Sequence, residues 1–217
     1  MYLISANQIM EIDFTDNMRD SSGLKSQPSY HSKEQHALER NLIAETAGGD
    51  EKAFEQLYKI YFNRLYQFVF HVTRRLNGIE EVINDVMYVV WEKASSYDQV
   101  CRPSTWILGI AYLKALKSSR QSWAREEQSD EFTDEQDYFP DSSASWITEI
   151  EINNWLEVAF DKLSTEQRAV VEMTYYQGLH YQEISEIMQC PENTVKTRMF
   201  HARKILTKLY NDHNGRS

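Results

Sequence analysis

The sequence predicts an all-α protein of two small helical domains joined by an acidic flexible linker, the second domain a helix-turn-helix. Three observations carry this. From about Asn41 onward apolar residues recur at three- and four-residue spacing, and no run of alternation suggests a strand. Between Gln121 and Glu149 nine acids (Glu126, Glu127, Asp130, Glu131, Asp134, Glu135, Asp137, Asp141 and Glu149) face one base, Arg125. Finally, the run from Leu163 to Leu209 carries the punctuation of a helical hairpin followed by a longer basic helix.

The elements follow in order. Residues 1–39 are polar and without periodicity and read as a flexible tail. Asp50 can cap a helix in which Phe54, Leu57, Tyr58, Tyr61, Leu65 and Phe68 recur. Gly78 interrupts it. A second helix from Ile79 to about Ala94 buries Ile79, Val82, Ile83, Val86 and Val89 or Val90. A proline-containing loop, 95–104, precedes a third helix from Thr105 to about Arg120. Helices resume near Ile150, after the linker. The expected divisions are a tail 1–39, a domain 40–121, a linker 122–149, a domain 150–211 and a short tail 212–217.

In the second domain, Ser164 followed by Gln167 has the pattern of a capping box, and Gly178 suits the end of that helix. Tyr181 to Met188 makes a short helix with Ile184, Ile187 and Met188 on one side. Gln189 and Cys190 form a tight turn, and Pro191 is tolerated at the start of the last helix because its missing N–H has no intrahelical acceptor there. Val195, Met199, Ala202, Leu206 and Leu209 fall on one stripe of that helix and predict its buried face. From Glu192 to Tyr210 five Lys or Arg stand against one acid. A basic helix closing such a hairpin suits a DNA groove, with phosphate contacts giving affinity and base-edge contacts giving sequence choice. The residues placed at DNA are Asn193, Thr194, Lys196, Thr197, Arg198, Phe200, His201, Arg203 and Lys204. Phe200 suits a thymine methyl or sugar carbons. Taken alone, the basic face also suits a solvated face in an ordinary bundle.

Composition narrows the remaining classes. The chain has 217 residues and a net charge of −10, of which the 121–149 stretch supplies −8, so the acidic total does not argue against a basic DNA-binding surface elsewhere. No apolar run is long enough to span a membrane. The opening MYLISANQIMEIDF lacks a basic segment followed by an apolar core, which predicts no signal peptide and a cytoplasmic product. Cys101 and Cys190 lie far apart without Cys or His partners at metal-ligand spacing and read as reduced, structural thiols. The histidines at 31, 36, 71, 180, 201 and 213 are scattered and read mostly as surface or capping residues, with His201 near DNA. With no Gly-rich phosphate loop and no nucleophile–base pair, no enzyme, metal or cofactor is expected.

The words Gly178-Leu179-His180-Tyr181-Gln182-Glu183-Ile184 and Thr194-Val195-Lys196-Thr197-Arg198, with Ala202-Arg203, resemble the C-terminal promoter-binding domain of bacterial RNA polymerase sigma factors of the extracytoplasmic-function group. Ala53-Phe54-Glu55-Gln56-Leu57-Tyr58, Arg64-Leu65-Tyr66, Glu80 to Val86, and Trp106-Ile107-Leu108-Gly109-Ile110-Ala111 resemble the N-terminal domain of the same family, in the family's order. The resemblance implies a helix-turn-helix of the winged-helix-like, sigma region 4 type that reads the −35 duplex. It implies a region 2 domain that binds core polymerase and reads the melted −10 strand. Core RNA polymerase, through its clamp and flap, and promoter DNA are then the implied partners, with an anti-sigma factor common in the family.

By the same resemblance, Glu80, Glu81, Asn84, Asp85, Tyr88 and Glu92 are placed at the polymerase. Glu81, Asp85 and Glu92 share one helix face, suited equally to a basic coiled coil and to plain solvation. Tyr97, Arg102, Trp106, Tyr112, Lys114, Lys117 and Arg120 are placed at the −10 strand, where aromatic groups and positive charge offset the cost of unstacking a base. Trp106 also suits the core. Three departures stand out: His180 where the family often caps with Ser or Thr, Tyr112-Leu113 in place of Arg-Asn, and Lys117 in place of an acid. The last two predict a −10 preference of its own. The acidic linker is read either as a mimic of nucleic acid near the polymerase active centre or as a solubilising tether. The other reading of the whole chain is a stand-alone helix-turn-helix regulator.

Overall fold

In the computed structural model, which describes residues 33–126 and 154–214, every regular element is helical. Four helices make the first half: α1 (Lys33–Ala47), α2 (Glu51–Thr73), α3 (Ile79–Lys93) and α4 (Pro103–Glu126), with a short 3₁₀ turn at Ala94–Ser96 after α3. Four more make the second: α5 (Asn154–Asp161), α6 (Thr165–Val171), α7 (Tyr181–Met188) and α8 (Glu192–Asn214). None of them is long and apolar enough to cross a membrane.

Local chemistry sets the boundaries. The Asp50 carboxylate accepts from the backbone N–H of Lys52 (2.8 Å) and Ala53 (3.1 Å), capping α2 as its position predicts. The helix ends where Arg74 turns left-handed at φ 59° and donates its backbone N–H to Phe70. Ser164 and Gln167 exchange the two bonds of a capping box at the start of α6. That helix then widens into a turn over Glu172–Tyr176, in which Gln177 N–H donates to the Glu172 carbonyl five residues back. Gly178, at φ +64°, ends it in a conformation that few residues other than glycine adopt without strain. Gln189, left-handed at φ 50°, makes the turn between α7 and α8.

The core of the first half joins Leu57, Tyr61, Leu65 and Phe68 of α2, Ile83, Val86 and Val90 of α3, and Ile107, Leu108 and Ala111 of α4. Each such large side chain stabilises the fold by about 1.5–3 kcal/mol when fully buried. In the second half the stripe expected on α8 is found: Val195, Met199, Ala202 and Leu206 are buried, and Leu209 is half-buried.

The boundaries differ from expectation at two places. The expected tail 1–39 gives way to helix at Lys33, because α1 docks on α2 through Glu39, Leu42, Ile43 and Thr46. Its inward stripe contains a carboxylate and a hydroxyl, so no apolar periodicity announces it. Glu39 accepts from Tyr61 Oη at 2.8 Å, and Thr46 Oγ1 donates to the Leu42 carbonyl at 2.7 Å. The third helix, expected to stop near Arg120, runs to Glu126, into the stretch assigned to the linker. The rest of that linker, with both readings of its role, lies outside the described residues.

The two halves also touch. Helix α2 packs on α6, and α4 packs on α7.

Candidate nucleic-acid and protein interfaces

The C-terminal helix presents a narrow polar stripe. Asn193, Lys196, Thr197, Phe200, His201 and Lys204 are all exposed, spaced three or four apart on the face opposite the buried one. Lys196 pairs with Glu192 at 2.8 Å, Thr197 Oγ1 donates to the Asn193 carbonyl at 2.9 Å, and Phe200 meets His201 edge-on at 5.5 Å. Phe200 is 53% exposed, a large apolar ring held in water beside cations. Such a ring suits a groove lined by sugars and methyl groups.

Two of the expected contacts turn inward. Arg198 reaches the sulfur of Cys190 at 3.5 Å and that of Met188 at 3.8 Å, bracing the turn. Arg203 donates to Tyr175 Oη at 3.1 Å and lies over that ring. Both are only half-exposed, and Thr194 is half-buried as well. Their position in the basic helix predicts all three at DNA; in the structure Arg198 and Arg203 brace its packing instead. The turn uses Cys190 as a soft acceptor, a role invisible from cysteine spacing.

Helix α3 carries the second surface. Glu80, Glu81, Asn84, Asp85, Tyr88 and Glu92 are all exposed, and Tyr88 is 65% so. Glu81, Asp85, Tyr88 and Glu92 run down one line of the helix. Asp85 pairs with Lys114 of α4 at 2.9 Å, so this lysine, expected at DNA, supports the acidic face instead. Asn84 accepts from Tyr58 Oη of α2 at 2.9 Å. Tyr58 belongs to a ladder of half-exposed rings along α2, Phe54, Tyr58, Phe62 and Tyr66, with Trp91 of α3 edge-on to Phe54. Burial, then the Glu80 carboxylate, holds the Tyr58 and Tyr66 phenols above their ordinary range. Phe54 and Tyr58 enter the apolar pattern that the sequence shows for this helix, whereas Phe62 and Tyr66 do not.

The residues expected at the melted strand separate into groups. The Tyr97 and Trp106 rings lie against each other at 5.1 Å, half-buried, and Tyr97 Oη donates to the Cys101 carbonyl at 2.6 Å. Lys117 and Arg120 are exposed. Tyr112 is not available: it is 4% exposed, and its surroundings include Glu166, Cys190 and Arg198 of the other half. The residue of the Tyr112-Leu113 departure that faces solvent is Leu113.

His71 is the clearest correction. Grouped from sequence with surface and capping histidines, it is buried, with Nδ1 2.5 Å from Oε2 of the fully buried Glu172. Phe160 and Tyr176 pack on its ring. Glu172 Oε1 accepts from Gln177 Nε2 at 3.0 Å, and Gln177 Oε1 accepts twice from the Arg64 guanidinium, at 2.9 and 3.1 Å. The partners lie a hundred residues apart, so no local pattern reveals them. Among the described residues no cluster of His, Cys, Asp or Glu is suited to a metal ion.

The family model for Sigma-70 region 2 matches residues 57–125, and that for Sigma-70, region 4 matches residues 153–206. The chain is similar to the ECF RNA polymerase sigma factor SigK of Mycobacterium sp. (strain KMS), 29% identical over 160 residues that cover 73% of this chain and 83% of that protein. It is similar to the ECF RNA polymerase sigma factor SigX of Bacillus subtilis (strain 168), 27% identical over 172 residues, covering 73% and 84%. Among solved structures it shares the fold of CnrH in complex with the cytosolic domain of CnrY, with a TM-score of 0.57, 19% identity and coverage of 81% and 98%. It also shares that of the sigma factor RpoE in complex with the anti-sigma factor NepR from Bartonella quintana, with a TM-score of 0.60, 21% identity and coverage of 74% and 98%.

Proposed function

The chain belongs to the extracytoplasmic-function group of the sigma-70 family, and from that we propose that it directs core RNA polymerase to specific promoters and starts transcription there. The observation that carries the reading is the presence, in one chain and in family order, of a region 2 with an exposed acidic line on α3 and a region 4 with an exposed basic stripe on α8. The acidic line meets the polymerase clamp by charge complementarity, which sets register and orientation. The α8 stripe takes the −35 duplex, with Thr197 early on the helix, where hairpins of this kind touch bases, and Lys196 beside it at the phosphate backbone. The Tyr97–Trp106 pair and the cations Lys117 and Arg120 serve the melted −10 strand.

On this reading the protein performs no chemistry; the polymerase does, and the protein works in the cytoplasm beside it. A stand-alone regulator gives region 2 no task, and the family match to region 2 removes that alternative. Both solved relatives are held by a second protein, in one case a named anti-sigma factor, and an inhibitor of that class is the expected regulator here.

Transcription in vitro with core polymerase and a promoter library tests the assignment. Promoter-selective initiation that requires the added chain is expected; binding to an operator without polymerase, and no initiation with it, would overturn it. A narrower prediction follows for α8. Lys196→Ala should weaken binding to the −35 duplex uniformly across sequences and lower the slope of log affinity against log salt by about one. An unchanged slope, measured by fluorescence anisotropy from low to physiological salt, would remove Lys196 from the phosphate backbone.

A further inference from the structure

We propose that α1 completes the single-strand site: Arg40, with His36 one turn before it, takes the backbone phosphate of the nucleotide whose base rests on the Tyr97–Trp106 pair. This rests on the assignment of that pair to the melted −10 strand, and it brings to the promoter a helix that the assignment leaves out.

Helix α1 packs against the Ala94–Ser96 turn, the entry to the loop that carries Tyr97. His36 and Arg40, four residues apart, share one face at the edge of its buried stripe. The Arg40 guanidinium is a hydrogen-bond partner of the Tyr97 phenol, whose Oη donates to the Cys101 carbonyl at 2.6 Å. The phenol is thus held by α1 on one side and by its own loop on the other, with its ring against Trp106 at 5.1 Å. His36, Arg40, Tyr97 and Trp106 are all half-exposed, so cation and rings reach solvent together.

Positive charge gathers at the same edge. Burial pushes the His36 imidazole below its ordinary range; the Glu39 carboxylate opposes that, and the Arg102, Arg40 and Arg64 guanidiniums add to it. The nearby carboxylates are engaged. Glu39 is fully buried and accepts from Tyr61 Oη at 2.8 Å, Asp98 Oδ1 accepts from the Val100 N–H at 3.0 Å, and Glu183 of α7 lies 3.6 Å from Arg102. Arg40 Nε and Arg64 Nη1 are buried and find no acceptor among the described residues. Guanidiniums short of acceptors are costly to bury, and a phosphate supplies both the charge and the oxygens they lack. Flat rings with a cation beside them are what a single strand uses, base on ring and phosphate on guanidinium. A phosphate contact carries no sequence information, so Arg40 positions the strand and leaves the choice of base to the loop and α4.

Replacing backbone phosphates one at a time by uncharged methylphosphonate tests this, in complexes of core polymerase with the full chain. The probe is a single-stranded oligonucleotide with the non-template −10 sequence of a promoter recovered by the wild-type chain, and binding is read by fluorescence anisotropy. At one position the neutral linkage should weaken the wild-type complex about tenfold and the Arg40→Gln complex no more than about twofold. Arg40→Gln should also lower the slope of log affinity against log salt by about 0.7, the share of one phosphate in a single strand. Arg40→Lys should keep the wild-type slope, because the charge remains. If Arg40 only braces the loop, the variant's scan runs parallel to that of the wild type, and that would overturn the proposal. Should Arg40→Gln fail to join polymerase, His36→Gln takes its place: a linkage that loses its cost in that variant supports the site, and a parallel scan overturns it.

A free mononucleotide in large excess should leave strand binding unchanged. Displacement of the strand that requires Arg40 would make this a site for free nucleotide and overturn the assignment to the promoter. If the wild-type complex does not bind the strand at all, the reading of α4 and its loop fails first and takes this inference with it.

Discussion

Reversing two charges on α3, Glu81→Lys with Asp85→Lys, is expected to cost about 3 kcal/mol of polymerase affinity, or roughly a hundredfold. Both carboxylates are exposed one turn apart on the line that continues through Tyr88 to Glu92. Neither is part of the core, so the fold should tolerate the change. Asp85 has an internal partner, Lys114, 2.9 Å away, and the reversal sets three cations together there. At 28% and 59% side-chain exposure that repulsion is screened and should cost little stability. Titration against core polymerase, beside duplex binding by the same protein, separates the outcomes. Lost polymerase affinity with unchanged −35 binding places the clamp on α3. Equal loss of both would mean misfolding, and unchanged polymerase affinity would move the docking surface elsewhere.

What the sequence made legible was whatever is local. The Asp50 and Ser164 caps, the Gly178 ending and the apolar stripe of α8 each depend on residues within a few positions of one another, and each is found in place. The fold class follows from such signals. The misreadings are of another kind. Helix α1 is stabilised by a buried carboxylate that accepts from Tyr61, a partner 22 residues away, so its inward face looks polar. His71 depends on Glu172, 101 residues on. Arg198 and Arg203 lie in a basic helix, and only packing shows that Cys190 and Tyr175 hold them. A charge or a ring can be counted from sequence, but whether it faces water depends on what the rest of the chain brings against it.

Two phenylalanines put that distinction to a measurement. Phe68→Ala is expected to destabilise the protein by about 3–5 kcal/mol, lowering the melting temperature by about 10 °C. The ring has no exposure at all and sits among the core residues of α2, α3 and α4, so its removal loses both the transfer free energy and the contacts around the void. Phe200→Ala should leave stability within about 0.5 kcal/mol, because its ring already stands in water. Its cost falls on the −35 duplex, at about 1 kcal/mol, the low end for one base-edge contact. Calorimetry and duplex binding on both variants give a crossed result: one protein melts early, the other binds weakly. If Phe200→Ala melted early while keeping its affinity, the α8 stripe would be a packing surface rather than a face for DNA.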